Sequence, residues 1–92
     1  MAGQLHSDEY KIFLEEFRAL RERAGFGQAE LAQVLGVGQD MVSRCESGRR
    51  RVDVVELQQW AEACGSTLPE FALRFTTRLS RQRSPELLNP DD

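Results

Sequence analysis

Four groups of side chains in this sequence have types and spacings that could do chemistry. Gly25-Phe-Gly-Gln28 and Gly36-Val-Gly-Gln39 repeat one phrase eleven residues apart, and glycine pairs can cradle phosphate. Arg49, Arg50 and Arg51 form a basic run suited to an anionic backbone. Cys45 and Cys64 offer thiols, and His6 is the sole imidazole. Catalysis fits none of them. The glycine phrases lack the third glycine of a dinucleotide loop and the Gly-Lys-Ser/Thr ending of a phosphate loop, and no strand pattern precedes either. His6 has no thiol or carboxylate cluster at ligand spacing, so neither a metal nor another cofactor is expected. The cysteines are nineteen residues apart on apolar faces and read as small buried hydrophobes, with a redox role as the lesser alternative. The chain reads as a non-enzyme.

The totals narrow the class further. Ninety-two residues support one small domain. The formal charge of −3 does not announce a nucleic-acid binder, yet the charge is uneven. Residues 1–17 carry about −3, residues 18–51 about +3 and residues 52–92 about −3. Eleven of the twelve bases are arginine, which forks onto phosphate and guanine. Too few cysteines for a disulfide scaffold, no membrane-length apolar run and no signal-peptide pattern point to the cytoplasm and to no membrane partner.

The elements that must position these residues follow from periodicity and punctuation. Residues 1–6 read as a flexible arm, residues 7–80 as the domain, and residues 81–92 as a flexible tail with two prolines. Ser7 caps a first helix whose apolar positions are Tyr10, Phe13, Phe17, Leu20 and Ala24, and Gly25 ends it. A second helix opens at Gln28, buries Leu31, Ala32 and Leu35, and stops at Gly36. The third spans residues 39–47, with Val42 and Cys45 inward and Gly48 closing it. Asp53 with Glu56 is a capping-box start for the fourth, whose inward face is Val54, Leu57, Trp60, Ala61 and Cys64 before Gly65. Thr67, Pro69 and Glu70 open the fifth, whose apolar face is Leu68, Phe71, Ala72, Phe75 and Leu79. The expected fold is a compact all-α five-helix domain.

Two short helices joined by a glycine-containing turn make a helix-turn-helix, whose second helix can enter the major groove. Residues 12–75, with Gln28-Ala-Glu-Leu-Ala, Gly36-Val37, Val42-Ser43, Glu46 and Gly48 in register, resemble the Cro/C1-type (XRE) regulators, which include lambdoid phage repressors. The resemblance implies a lambda-repressor-like domain that binds double-stranded DNA, with Gln28 approaching a phosphate. It also implies a reading helix exposing Gln39, Asp40, Ser43 and Arg44. Gln39 can present its amide to adenine, and Arg44 can fork onto guanine or brace a phosphate. Asp40 can accept from cytosine, repel wrong sequences or be indifferent. Arg49, Arg50 and Arg51 are expected to straddle the adjoining backbone, with at least one pointing away. Arg21 is expected to pair with Glu46, tying helix one to the reader.

Family members commonly have serine or threonine where this chain has Gly27 and Gly38. The resemblance implies a transcriptional repressor on a palindromic operator, working as a homodimer, with the length of helix five as a dimer contact or as a finish to the core. The alternative is an antitoxin or adaptor module on the same fold, with a small toxin protein as partner.

Overall fold

The computed structural model describes the backbone of residues 7–87 and the side chains of residues 7–82. The arm expected over residues 1–6, His6 included, and residues 88–92 of the expected tail lie outside the described residues. Five helices appear, with no strand among the described residues: α1 (Asp8–Arg23), α2 (Gln28–Leu35), α3 (Gln39–Ser47), α4 (Val54–Ala63) and α5 (Leu68–Leu87).

Their starts are local events. The Ser7 hydroxyl accepts the Tyr10 N–H at 3.1 Å, and Asp8 and Glu9 lie in the positive first turn of α1. Asp53 and Glu56 form the reciprocal capping box of α4, at 2.8 and 3.1 Å. Thr67 Oγ1 accepts the Glu70 N–H at 3.2 Å at the head of α5. At α2 only half a box is made: Glu30 accepts the Gly27 N–H at 2.7 Å, and Gly27 returns nothing. The stops are equally local. A left-handed glycine follows each of α1 to α4, and the next N–H reaches back five residues to close the helix. These closing bonds are Phe26 to Arg21 at 3.2 Å, Val37 to Ala32 at 3.0 Å, Arg49 to Arg44 at 3.0 Å and Ser66 to Ala61 at 2.8 Å.

One core joins all five helices: Phe17, Leu20, Leu31, Ala32, Val42, Cys45, Trp60, Ala61 and Phe71. Phe17 and Trp60 stand at its centre with ring centroids 5.3 Å apart, while Phe13 meets Phe71 edge-on at 5.6 Å. Each such pair adds to the area it buries. Three apolar positions expected inside are outside: Ala24, Val54 and Ala72. Ala24 is the C-cap of α1 and Val54 the first residue of α4, so both sit at helix ends. Conversely, Ile12 and Glu16 are buried, so the hidden arc of α1 is wider than its aromatic stripe.

Helix α5 continues to Leu87, past the bound at residue 80 expected for the domain. Leu79, Arg81, Gln82 and Arg83 form helix readily, and no glycine interrupts them. Arg78 ties this long helix back to α1, reaching Glu15 at 2.6 Å and the buried Glu16 at 3.3 Å. The bond to Glu15 raises the Arg78 pKa above the ordinary arginine value.

Candidate nucleic-acid interface

Helices α2 and α3 meet through Gly36, Val37 and Gly38. Gly36 turns left-handed at φ 75°, Val37 packs against the core, and Gly38 returns to extended backbone as the cap of α3. From there the sides of α3 separate by period. Val42, Cys45 and Glu46 are buried, while Gln39, Asp40, Ser43 and Arg44 are exposed. Positions 39, 40, 43 and 44 lie on one face of a helix, so the four expected reading residues are brought together on the outward side. Arg44 Nη2 lies 3.1 Å from Asp40 Oδ2.

The angle of that face is set by Glu46. Its side chain is 1 % exposed and accepts Arg21 Nε at 2.7 Å and Arg21 Nη2 at 2.9 Å. The forked geometry is the strong form of an arginine–carboxylate pair. Arg21 Nη1 also donates to the Phe26 carbonyl at 3.0 Å, fastening the α1–α2 turn with the same guanidinium. Its bond to Glu46 raises the Arg21 pKa. Helix α1 thus holds both parts of the motif. The pairing expected from the resemblance is present.

Gln28 sits at the first turn of α2, and its amide turns inward to donate to Glu46 Oε1 at 3.0 Å. One amide N–H and the carbonyl oxygen remain for an outside partner. Sequence reasoning placed Gln28 at the surface and missed this bond, which spans eighteen residues and depends on a carboxylate buried by another helix. Arg18, absent from the expected set, lies 3.9 Å from the same Glu46 oxygen with its side chain 55 % exposed.

The three loop arginines are put to different uses. Arg50 forks onto Glu56 at 3.0 and 2.8 Å and reaches the Arg51 carbonyl at 3.2 Å and Cys45 Sγ at 3.6 Å. It therefore pins the loop to the start of α4. The Arg51 guanidinium stands over the Tyr10 ring, 4.8 Å from its centroid. Arg49 is exposed, and its side chain has no partner among the described residues. The Arg50 bond raises the Arg50 pKa and holds the Glu56 carboxyl below the usual carboxylate range. Burial pushes both thiols up, Cys45 against the opposing pull of Arg50 and Cys64 against that of Arg21. Both cysteines are free thiols.

Among the described residues, no group of three or more histidine, cysteine or acidic side chains could hold a metal, and no helix is long and apolar enough to cross a membrane. A comparison with curated proteins finds no match. The sequence pattern of the family described as "Helix-turn-helix domain" matches residues 12–73, from the second turn of α1 into α5. That span holds the turn, the outward face of α3 and the Arg21–Glu46 anchor, and by it this chain belongs to the helix-turn-helix domain family.

Proposed function

We propose that this chain is a sequence-specific DNA-binding transcriptional regulator of the Cro/C1 (XRE) type. In this reading it is a cytoplasmic repressor that occupies a palindromic operator as a homodimer, with α3 in the major groove. The observation that carries the reading is the outward face of α3. Its four exposed polar side chains, Gln39, Asp40, Ser43 and Arg44, sit on a helix fixed from behind by a buried ion pair. A rigid helix with base-reading side chains on one face is what direct readout requires. Gln28 and Arg49 stand as the backbone contacts, with Arg50 and Arg51 supporting the loop that presents Arg49. Helix α5 exposes Leu73 at 65 %, an apolar position suited to a second copy. A single domain of this size reads few base pairs, and two-fold pairing doubles the site.

Selection of bound duplexes from a random DNA pool at fixed salt tests the proposal. The expected result is an enriched two-fold symmetric motif with half-sites about 10 base pairs apart. Recovery of no motif, with only weak salt-sensitive binding, overturns it and leaves the protein-interaction module as the reading to pursue.

A further inference from the structure

Gly38 caps α3 without a side chain, and its glycine has no conformational explanation. Its backbone is extended, at φ −78° and ψ 155°, a conformation open to any residue. As a cap, glycine is also weaker than serine, threonine, asparagine or aspartate, because it offers no oxygen to the exposed N–H groups of the first turn. The space around it supplies a reason. A Cβ on Gly38 would stand 3.0 Å from Asp40 Oδ1, closer than side-chain carbons ordinarily come to a neighbour. The other carboxylate oxygen, Oδ2, is the one that holds Arg44 at 3.1 Å. The Asp40 rotamer that reaches Arg44 is thus the rotamer that fills the space above residue 38. Gly27, the matching cap of α2, shows no such conflict: a Cβ there would meet Glu30 Oε1 at 3.6 Å, an ordinary contact.

We propose that Gly38, Asp40 and Arg44 form one unit in which Asp40 is a positioning residue that aims Arg44 at a guanine, and in which residue 38 is glycine to make room for it. The inference rests on the DNA-binding reading above and deepens it to a base and a device. The pair is exposed, 53 % at Arg44 and 78 % at Asp40, so it adds little to stability. Its use is orientation. Aspartate four residues before arginine is the favourable order on a helix, and Asp40 also lies in the positive first turn of α3. A guanidinium carries five N–H donors in a planar fork. Asp40 engages Nη2 and leaves donors for the O6 and N7 of guanine. An arginine already held in place loses less rotamer freedom on binding. The carboxylate also balances the charge of Arg44, so the pair gains little from phosphate alone and depends on the base.

The test uses the full chain and its Arg44→Ala, Asp40→Ala, Gly38→Ala and Gly27→Ala variants, with thermal melts as folding controls. Wild type is first put through selection from a random pool. Affinities are then measured at fixed salt on the selected duplex and on duplexes changed one base pair at a time. Arg44→Ala is expected to abolish the preference for guanine at one position. Asp40→Ala and Gly38→Ala are expected to lower that same preference by about 2- to 10-fold and to leave the other positions alone. The Asp40→Ala/Arg44→Ala double variant should match Arg44→Ala alone, because one residue acts through the other. Gly27→Ala should keep the preference. An unchanged guanine preference in Asp40→Ala overturns the proposal, as does a change at a different base pair, which would make Asp40 a reader in its own right. Equal tightening on all sequences overturns it too, leaving Asp40 as a repelling charge. An effect of Asp40→Ala with none of Gly38→Ala removes the glycine from the unit. If wild type selects no motif, the DNA reading itself falls and this one with it.

Discussion

Arg21→Ala removes the anchor that ties α1 to α3 and so tests it directly. It deletes the two bonds at 2.7 and 2.9 Å that neutralise Glu46, a carboxylate 1 % exposed, and leaves that charge inside the domain. Breaking one side of a buried pair costs about 3 to 5 kcal/mol. The lower end applies here, because Gln28 still donates to Glu46 at 3.0 Å and Arg18 stands 3.9 Å away. The lost bond to the Phe26 carbonyl adds about 1 kcal/mol, giving roughly 4 kcal/mol in all. Small domains hold only about 5 to 15 kcal/mol, so the loss is a large share. At about 4 to 8 °C per kcal/mol for a domain of this size, the melting temperature should fall by about 15 to 30 °C. Urea melts of wild type, Arg21→Ala and Glu46→Gln, completed by the double variant, measure both the loss and the coupling. A loss for Arg21→Ala within about 0.5 kcal/mol, the ordinary range for a surface substitution, would refute the reasoning. A double variant more stable than Arg21→Ala alone would locate the cost in the stranded charge.

Four further outcomes follow from the same geometry. The Arg50 bond lowers the Glu56 carboxyl, so its stabilisation is complete above the ordinary glutamate range near pH 4.3 and fades as pH falls through the lowered value. In urea melts, the stability gap between wild type and Glu56→Gln should therefore be full at pH 7 and close in acid; a gap that widens in acid contradicts the assignment. Burial raises both thiols, but Cys45 is 0 % exposed and Cys64 is only half-buried, so a thiol reagent at neutral pH should label Cys64 first and Cys45 only as the chain unfolds. Gly36→Ala meets nothing within 4 Å, so its cost is conformational, about 1 to 2 kcal/mol at φ 75°, and an unchanged melt would refute the left-handed stop. In the proposed reading, with Arg49 and Arg18 as the cations on phosphate in each protomer of a dimer, the slope of log affinity against log salt should be near −4, and a slope steeper than about −8 would show that more cations are engaged.

The parts of this fold that are local in sequence were legible. Four glycine stops and the Ser7, Asp53 and Thr67 caps each act within six residues, so the helix bounds of α1 to α4 follow from punctuation alone. The outward face of α3 was legible for the same reason, since a period assigns it. What stayed hidden is long in sequence. Glu16 reads as a surface acid until Arg78, sixty-two residues on, closes over it. Gln28 reads as a surface amide until Glu46 is buried beside it. Arg21 and Glu46, twenty-five residues apart, were paired only through the family resemblance, because no local rule joins them. The arginine run was visible as charge, but the choice of Arg50 for Glu56 is made by the loop, which brings position 50 to the start of α4. The run of α5 to Leu87 shows the converse limit: a polar stretch with no apolar period carries no local signal for the helix it continues.

The division of labour among the arginines bears on how, in the proposed reading, a chain of net charge −3 would select DNA. Between residues 18 and 51 the basic excess is carried by arginines that are mostly committed within the domain. Arg21 serves Glu46, Arg23 serves Glu16, Arg50 serves Glu56, and Arg51 lies on Tyr10. Arg44 is shared with Asp40, leaving Arg49 and the loosely held Arg18 as the cations most available to phosphate. Sequence-independent affinity scales with the number of phosphates neutralised, so in the DNA reading it is low here. Specificity is the ratio of correct to incorrect binding, and a weak background raises that ratio without any added contact to the right site. The same economy places the burden on α3, where an error in helix angle could not be offset by a broad basic surface. In the proposed DNA reading, that is the physical reason for a buried carboxylate, a forked arginine and the Gln28 amide to hold one nine-residue helix at a fixed angle.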